Sequence, residues 1–512
     1  MSHSLRVPEC PRLEDLLTGH DDAAAFVAGG RSTSRAQLRD AALAAAATLT
    51  SLGFKRGDVL ALWLPNGGAW LQLLFAAARI GILIVPISTR YKAPEVKHLL
   101  QVSRARAIVA PARFLDIEYA AIARSLKADV ATLEQVLELD DATGFMPRAA
   151  GAAAVAPVNS DELLCCFSTS GTTGYPKLAA HGHASIARHA AHVARALDLR
   201  AGDAMLCVMP LFGVFGFMAA LAALAGAASC VFMPVFDVAE AARIISRERV
   251  THAIGTDAMF DTILRVEGAD FSTLRRAVLG DFVGLHLQAT QRGDELGVKF
   301  SNTYGSSECY SLMSFNDWHA SVEQRAQGGG VPVDPAIFVR VVDAESGVEM
   351  AEGERGEIQI RGPNVLAGYL NNPEATAKAM TADGWFRSGD LGYREGKGYV
   401  YLARMGDSLR LRGFLVDPAE IENCLIEHPS VSGAQVVGVK RTGEGDVAVA
   451  YVIVPGGAAD EARLIVHCRE RMAAYKVPRR IIAIDEFPSV NGPNGVKIQK
   501  RVLREMATMV LG

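Results

Sequence analysis

Ser168-Thr169-Ser170-Gly171-Thr172-Thr173-Gly174-Tyr175-Pro176-Lys177 is the stretch around which the chain is organised. It follows the apolar run Leu163-Leu-Cys-Cys-Phe167, which predicts a short buried strand, and it precedes a helical pattern that starts near Ala184. A loop between strand and helix is therefore expected. Its glycines let the backbone turn tightly and bring N–H groups close to a ligand, its hydroxyls add donors, and Lys177 supplies a point charge. These are the requirements of a phosphate cradle. The spacing Gly-x-x-Gly-x-Pro-Lys is not the Walker pattern, because the Gly-Lys-Ser/Thr ending that places a hydroxyl on magnesium is missing. Taken alone, such a polar loop is more often an ordinary connection, and the terminal Pro-Lys with the elements downstream reverses that reading.

The 512 residues exceed one typical core and imply two to four units. Half of them are apolar and 21% are charged, so a large core is available and disorder is not expected. A net charge of -4 offers no basic field for nucleic acid. Eight cysteines, with no Cys-x-x-Cys pair, fit neither a disulfide framework nor a zinc site and suit a reducing cytoplasm. The first ten residues contain no apolar signal core, so secretion is not indicated. Between Leu206 and Phe236 no residue is charged, a length that could span a bilayer. Pro210, Pro234, Gly213, Gly216 and Gly226 interrupt it, so strand, loop, buried helix and strand are expected and no transmembrane segment.

The first 150 residues alternate helix and strand signals. Ser34-Arg-Ala-Gln37 has capping-box spacing and opens an alanine-rich helix to about Leu52. Val59–Leu64, Leu83–Ile87 and Ala107–Ala110 read as buried strands, separated by helices over Trp70–Ile80 and Ala93–Ser103. Continuous apolar strands between helices imply parallel sheets covered on both faces, hence an α/β fold. The low-complexity stretch Ala149–Pro157 reads as a linker into the phosphate loop.

Three further stretches are individually weak: Asn302-Thr-Tyr-Gly-Ser-Ser-Glu308 after a short strand, the turn-rich Asp383–Gly392, and Asn494–Arg501 near the C-terminus. Together with the phosphate loop, in this order, and with Gly356–Pro363, Gly368-Tyr369 and Pro418–Glu422, they resemble the adenylate-forming (AMP-binding) superfamily. That group holds acyl- and aryl-CoA ligases, stand-alone adenylation domains and beetle luciferases. The resemblance covers essentially the whole chain. It implies a large N-terminal domain (residues 1–405) with stacked, mostly parallel sheets covered by helices, and a small mobile α+β C-terminal domain (residues 406–512).

The resemblance also implies a two-step reaction with ATP, Mg2+ and coenzyme A. A carboxylate attacks the α-phosphate to give an acyl-adenylate and pyrophosphate, and a thiol then displaces AMP. The first step brings two anions together, so the protein's contribution is positioning and charge neutralisation. By resemblance, Thr169, Ser170, Gly171, Thr172, Thr173, Gly174 and Lys177 hold the phosphates, and Glu308 directs the magnesium ion. Tyr304 stacks on adenine, Gly305, Ser306 and Ser307 approach the nucleotide, Asp390 accepts the ribose hydroxyls, and Arg404 reaches ribose or phosphate. Lys497 is the C-terminal catalytic lysine, with Lys500 as the bland alternative, and Gly406 stands at the hinge, where Asp or Lys is usual.

The acid side departs from the family pattern. Gly213 replaces the His of Pro-Leu-Phe-His, and Gly280-Asp281-Phe282 stands where Gly-Ala-Pro is usual. His192, Phe212, Gly213, Phe217, Asp281 and Phe282 are the expected acyl-pocket residues. His181, His183, His189 and His192 make a metal cluster conceivable, with a solvated helix face as the plainer reading. The implied function is an ATP-dependent acid:CoA ligase for an aromatic or medium-chain acid. Two alternatives are a stand-alone enzyme loading an acyl carrier protein and, in another class, a non-catalytic nucleotide or acyl-adenylate sensor. Retention of Lys177, Glu308, Asp390 and Lys497 speaks for catalysis.

Overall fold

A computed structural model describes residues 12–511 except 140–157, 170–175, 283–284, 406–408, 413, 417, 442, 457–458 and 493–494. The expected linker, Ser170–Gly174, Gly406 and the side chain of Lys497 therefore lie outside the described residues. Local signals hold closely where helices carry caps. Ser34 caps Arg35–Ser51 through the amide of Gln37, whose side chain returns the bond to the Ser34 amide. Helix Ala93–Ser103 and strand Ala107–Ala110 have the expected bounds.

Two large sheets form the N-terminal part. One has seven strands, in the order Gly368–Tyr369, Lys177–Gly182, Leu163–Thr169, Leu83–Pro86, Val59–Leu62, Ala107–Ala110 and Gln135–Glu138. The other has thirteen. From Ala24–Ala28 through Ser229–Phe232, Ala204–Cys207, His252–Thr256 and Arg276–Gly280 to Lys299–Ser306 its pairs are parallel, as expected. From Lys299–Ser306 through Tyr310–Phe315 and on to Phe338–Val342 they are antiparallel, and short turns join Lys299–Ser306 to Tyr310–Phe315 and Phe386–Glu395 to Gly398–Arg404.

The helices Gly68–Ile80, His183–Ala196 and Val214–Ala225 share one apolar core with strands of both sheets, including Leu60 and Phe167 of one and Met205 and Cys230 of the other. A layer enclosed by two sheets has no polar face. This explains the uncharged run Leu206–Phe236, which folds as strand Ala204–Cys207, helix Val214–Ala225 and strand Ser229–Phe232. No helix among the described residues is long and apolar enough to cross a membrane.

The C-terminal α+β unit is a five-stranded sheet of Phe414–Val416, Leu409–Leu411, Gly445–Ile453, Gly433–Arg441 and Arg480–Ala483. Helices Pro418–Ile426, Glu461–Arg471 and Lys500–Leu511 accompany it. It meets the N-terminal part through Lys476, which is 4% exposed. The lysine Nζ donates to Glu95 at 2.6 Å and to Glu420 at 2.8 Å and lies 4.8 Å from the Tyr91 ring centroid. Burial opposes its charge, but Tyr91, Glu420, Tyr475 and Glu95 together hold it well above the usual lysine value. Lys476→Met removes the cation that two enclosed carboxylates share and should destabilise the fold by about 3–5 kcal/mol, whereas adding Glu95→Gln and Glu420→Gln should restore most of it. Denaturant midpoints of the single and triple variants check this, and an unshifted single variant would refute it.

Candidate active site

The parallel and antiparallel halves of the larger sheet meet at Lys299–Ser306. Crevices open at such switch points, beyond the carboxyl ends of parallel strands, because neighbouring connections leave in different directions. Tyr304 to Glu308 lie there, at the bend into Tyr310–Phe315. Gly305 is required by the protein's own backbone: a Cβ there would stand 2.2 Å from the Tyr310 carbonyl oxygen.

Tyr304 donates through its hydroxyl to Asp390 Oδ2 at 2.6 Å, and Arg404 Nη1 donates to Asp390 Oδ1 at 3.0 Å. The Tyr304 ring is flanked by Tyr399 and Tyr401 and is only 5% exposed. Burial works against the Arg404 charge, yet the Asp390 carboxylate outweighs it and raises the guanidinium above its ordinary value. Asp390 sits not in a loose turn, as its composition suggested, but on strand Phe386–Glu395, where the ladder slips beside Ile358 and Leu391. Gly389 takes φ +68° there, and a Cβ would touch the Arg404 guanidinium at 3.4 Å.

The polar stretch that opens the site also differs from expectation. Lys177 does not lead straight into the helix; it starts strand Lys177–Gly182, antiparallel to Leu163–Thr169, and Thr169 and Lys177 are direct partners. The strand escaped notice because Leu178-Ala-Ala180 is too short and alanine-rich to show a period. The Lys177 ammonium lies 4.5 Å from the centroid of the Tyr369 ring, and the Tyr369 hydroxyl donates to Glu308 Oε1 at 2.9 Å. Tyr369 entered the sequence reading only as part of the family pattern. Ser307 lies against the first strand, its hydroxyl donating to the Ser168 carbonyl at 3.4 Å, and the Ser306 hydroxyl accepts from the Glu308 amide at 3.2 Å.

Two buried polar atoms at this locus, Thr169 Oγ1 and Arg404 Nε, have no hydrogen-bond partner. Such donors suit the oxygens of a nucleotide. Glu308 has one oxygen engaged by Tyr369, and a carboxylate's other oxygen is the hard donor that a magnesium ion takes. The donor set thus fits both ATP and magnesium.

The expected acid-side residues divide. Phe212, Gly213, Phe215 and Phe282 are half-buried, and the rings of Phe215 and Phe282 are 6.4 Å apart. Phe217 belongs to the packed core, 1% exposed between Trp70 at 5.7 Å and Phe167 at 5.0 Å, so it offers no pocket surface. Asp281 lies 3.1 Å from His286 Nδ1, and this close carboxylate raises the imidazole's pKa. Fully buried Asp257 pins the same segment by accepting from the amides of Phe282 and Leu285 at 3.2 and 2.8 Å. Asp257, Asp281 and His286 together have metal-like spacing, but these backbone bonds already give Asp257 a structural use. From the C-terminal unit, the Arg410 guanidinium covers Phe282 at 5.1 Å, while Lys500 pairs with Glu422 at 3.3 Å within that unit.

The four histidines near 181–192 are neither solvated nor grouped as metal ligands among the described residues. His181 lies on strand Lys177–Gly182 and the other three on helix His183–Ala196, which shares the core between the sheets, and all four are 1–6% exposed. His192 contacts the Val333 carbonyl and Asp334, which Arg188 also holds. His181 Nε2 donates to the Ser307 carbonyl at 2.7 Å and His189 Nε2 to the Ser311 carbonyl at 2.9 Å, so each buried Nδ1 is left without a partner.

Comparison with known proteins agrees with this arrangement. The AMP-binding enzyme family model matches residues 13–370, and the AMP-binding enzyme C-terminal domain model matches residues 420–491. The chain belongs to the AMP-binding enzyme family. A 7a-methyl-1,5-dioxo-octahydroindenyl-propanoyl:CoA ligase of Rhodococcus jostii is 32% identical over 494 residues, covering 92% of this chain and 93% of its own. Feruloyl-CoA synthase of an Amycolatopsis species is 31% identical over 482 residues, with 92% and 94% covered. Among solved structures, an amide bond synthetase from Marinactinospora thermotolerans superposes with a TM-score of 0.83 at 25% identity over 97% of this chain and 99% of that one. This member of the AMP-binding enzymes is an acid–thiol ligase of the AMP-forming type, in a family whose ligases differ in the acid they take.

The buried histidines predict acid sensitivity. Burial lowers the pKa of His181, His183, His189 and His252 from 6.5 to about 4. Between those values the unfolded chain binds protons that the folded chain refuses, so stability falls as pH drops through the window, and the loss is complete below about 4. Denaturant midpoints at pH 7, 6 and 5 should decline progressively; a flat series would show that these rings are protonated without penalty.

Proposed function

We propose that this ligase activates an aromatic or medium-chain carboxylic acid as its adenylate and transfers the acyl group to coenzyme A. The observation that carries the acid class is the space at Gly213. A Cβ there would meet nothing closer than the Pro210 carbonyl at 3.6 Å, and the half-buried rings of Phe212, Phe215 and Phe282 stand nearby in sequence or space. An apolar recess without a bulky wall suits a ring or a chain better than a short polar acid.

In the first half-reaction, Lys177 balances the charge of the β- and γ-phosphates as they leave as pyrophosphate. Asp390 offers carboxylate oxygens to the ribose hydroxyls, and Arg404, already charged and fixed against Asp390, turns its unpartnered Nε toward ribose or phosphate. Glu308 would hold magnesium, which supplies charge neutralisation on the phosphates when bound. The Lys497 ammonium bridges the acid's carboxylate and the α-phosphate, where charge builds as the bond forms. In the second half-reaction the small unit, pivoting near Gly406, withdraws Lys497, and the thiol displaces AMP.

Two experiments test this reading. Lys497→Ala should abolish acid-dependent pyrophosphate release and leave thiolysis of a supplied acyl-adenylate largely intact; equal loss of both would refute the assignment. Gly213→His should lower kcat/KM for the best bulky acid about 10–200-fold while sparing small acids. Comparing benzoate-like, hexanoate-like and acetate-like acids on both proteins checks this, and an unchanged ranking would place residue 213 outside the pocket.

A further inference from the structure

Tyr369 touches both the lysine assigned to the phosphates and the carboxylate assigned to magnesium, from a place that the backbone holds rigid. Gly368 and Tyr369 pair with Ala180 and Ala179 of the strand that Lys177 begins, and the amides of Ala367 and Leu370 donate to the Ala180 and Leu178 carbonyls. The Tyr369 amide donates to Thr376 Oγ1 at 2.9 Å. The same segment grips the Glu308 turn, for the Leu366 amide donates to the Glu308 carbonyl at 2.7 Å and the Asn364 side chain to the Cys309 carbonyl at 2.8 Å. The tyrosine is 7% exposed. A phenol is protonated at neutral pH, so its hydroxyl is free to donate to Glu308.

We propose that Tyr369 is a positioning residue for adenylation, its ring face setting the Lys177 ammonium and its hydroxyl setting the Glu308 carboxylate, so that one side chain fixes the spacing of the cation and the anion about the departing pyrophosphate. The two contacts reinforce each other. A phenol that donates to a carboxylate gains electron density in its ring, and a cation on the ring face is held by that density. Glu308 is also kept in one rotamer, which matters because a carboxylate that must ligate a metal loses affinity when its outer partner is removed. The inference rests on the adenylation reading and adds a residue to it.

The test separates the two contacts. Tyr369→Phe keeps the ring and removes the hydroxyl; Tyr369→Leu removes both. In the phenylalanine variant the magnesium concentration for half-maximal pyrophosphate release should rise about 10-fold or more, and calorimetric affinity for Mg·ATP should fall in step. The leucine variant should, in addition, bind magnesium pyrophosphate more weakly than the phenylalanine variant, because the Lys177 ammonium loses the ring face it lies over. Thiolysis of a supplied acyl-adenylate should be the same in both as in the native enzyme. Unchanged magnesium dependence in Tyr369→Phe would overturn the proposal, and so would equal losses in both half-reactions, which would mark a purely structural role. A native enzyme that releases no pyrophosphate with any acid would instead refute the parent reading.

Discussion

The change of strand sense at Lys299–Ser306 fixes where the rest of the site can go. On its parallel side each connection must cross the sheet through a helix, which fills both faces with apolar layers and leaves the carboxyl ends of the strands as the open edge. On its antiparallel side short turns suffice, so polar residues can be carried on adjacent strands. Asp390 and Arg404 are a direct pair across Phe386–Glu395 and Gly398–Arg404, and Tyr304 reaches them from Lys299–Ser306. The smaller sheet meets this edge through Gly368–Tyr369, which brings Lys177 to Glu308 from another layer. Groups separated by more than a hundred residues converge because two sheets end at one place.

Several buried charges across the described residues are handled in one way. Asp390 has Arg404 and Tyr304, Asp334 has Arg188 and His192, and Lys476 has Glu95 and Glu420. Arg35, 1% exposed, donates to the Leu16 and Leu224 carbonyls. Each of these groups would carry a large desolvation penalty alone, and each is paired within hydrogen-bond distance except for the looser His192 contact of 3.5 Å. The histidines follow the other course. Placed between sheets, they give up their charge, and His181 uses its remaining donor to hold the Ser307 carbonyl behind the nucleotide motif.

The helices with caps and the strands with branched apolar runs were legible because a local signal and a burial pattern coincide, as in Arg35–Ser51 and Ala107–Ala110. Lys177–Gly182 was not, since its pairing depends on Leu163–Thr169 and Gly368–Tyr369, a contact across nearly two hundred residues. Phe217 looked like a pocket residue because helical spacing does not say which face another layer covers, and Trp70 and Phe167 cover it. The histidines looked solvated for the same reason. Tyr369 was visible only as a pattern element: its value lies in touching Lys177 and Glu308 at once, and no spacing in a sequence records such a three-way meeting.

The link between the two units follows from which residues lie at their border. Arg410 covers Phe282, the bulky departure in the acid loop, and Arg90 covers Phe414, which stacks on Tyr475 at 4.3 Å beside Lys476. One border contact therefore reaches the acid loop and another the buried ion group. The orientation seen here is stabilised partly by Phe282, a side chain of the large unit under the Arg410 guanidinium. Asp257 fixes that loop within the large unit, because it accepts from the Phe282 and Leu285 amides. The Phe282 ring thereby joins its loop to the small unit, and a change at position 282 acts on both.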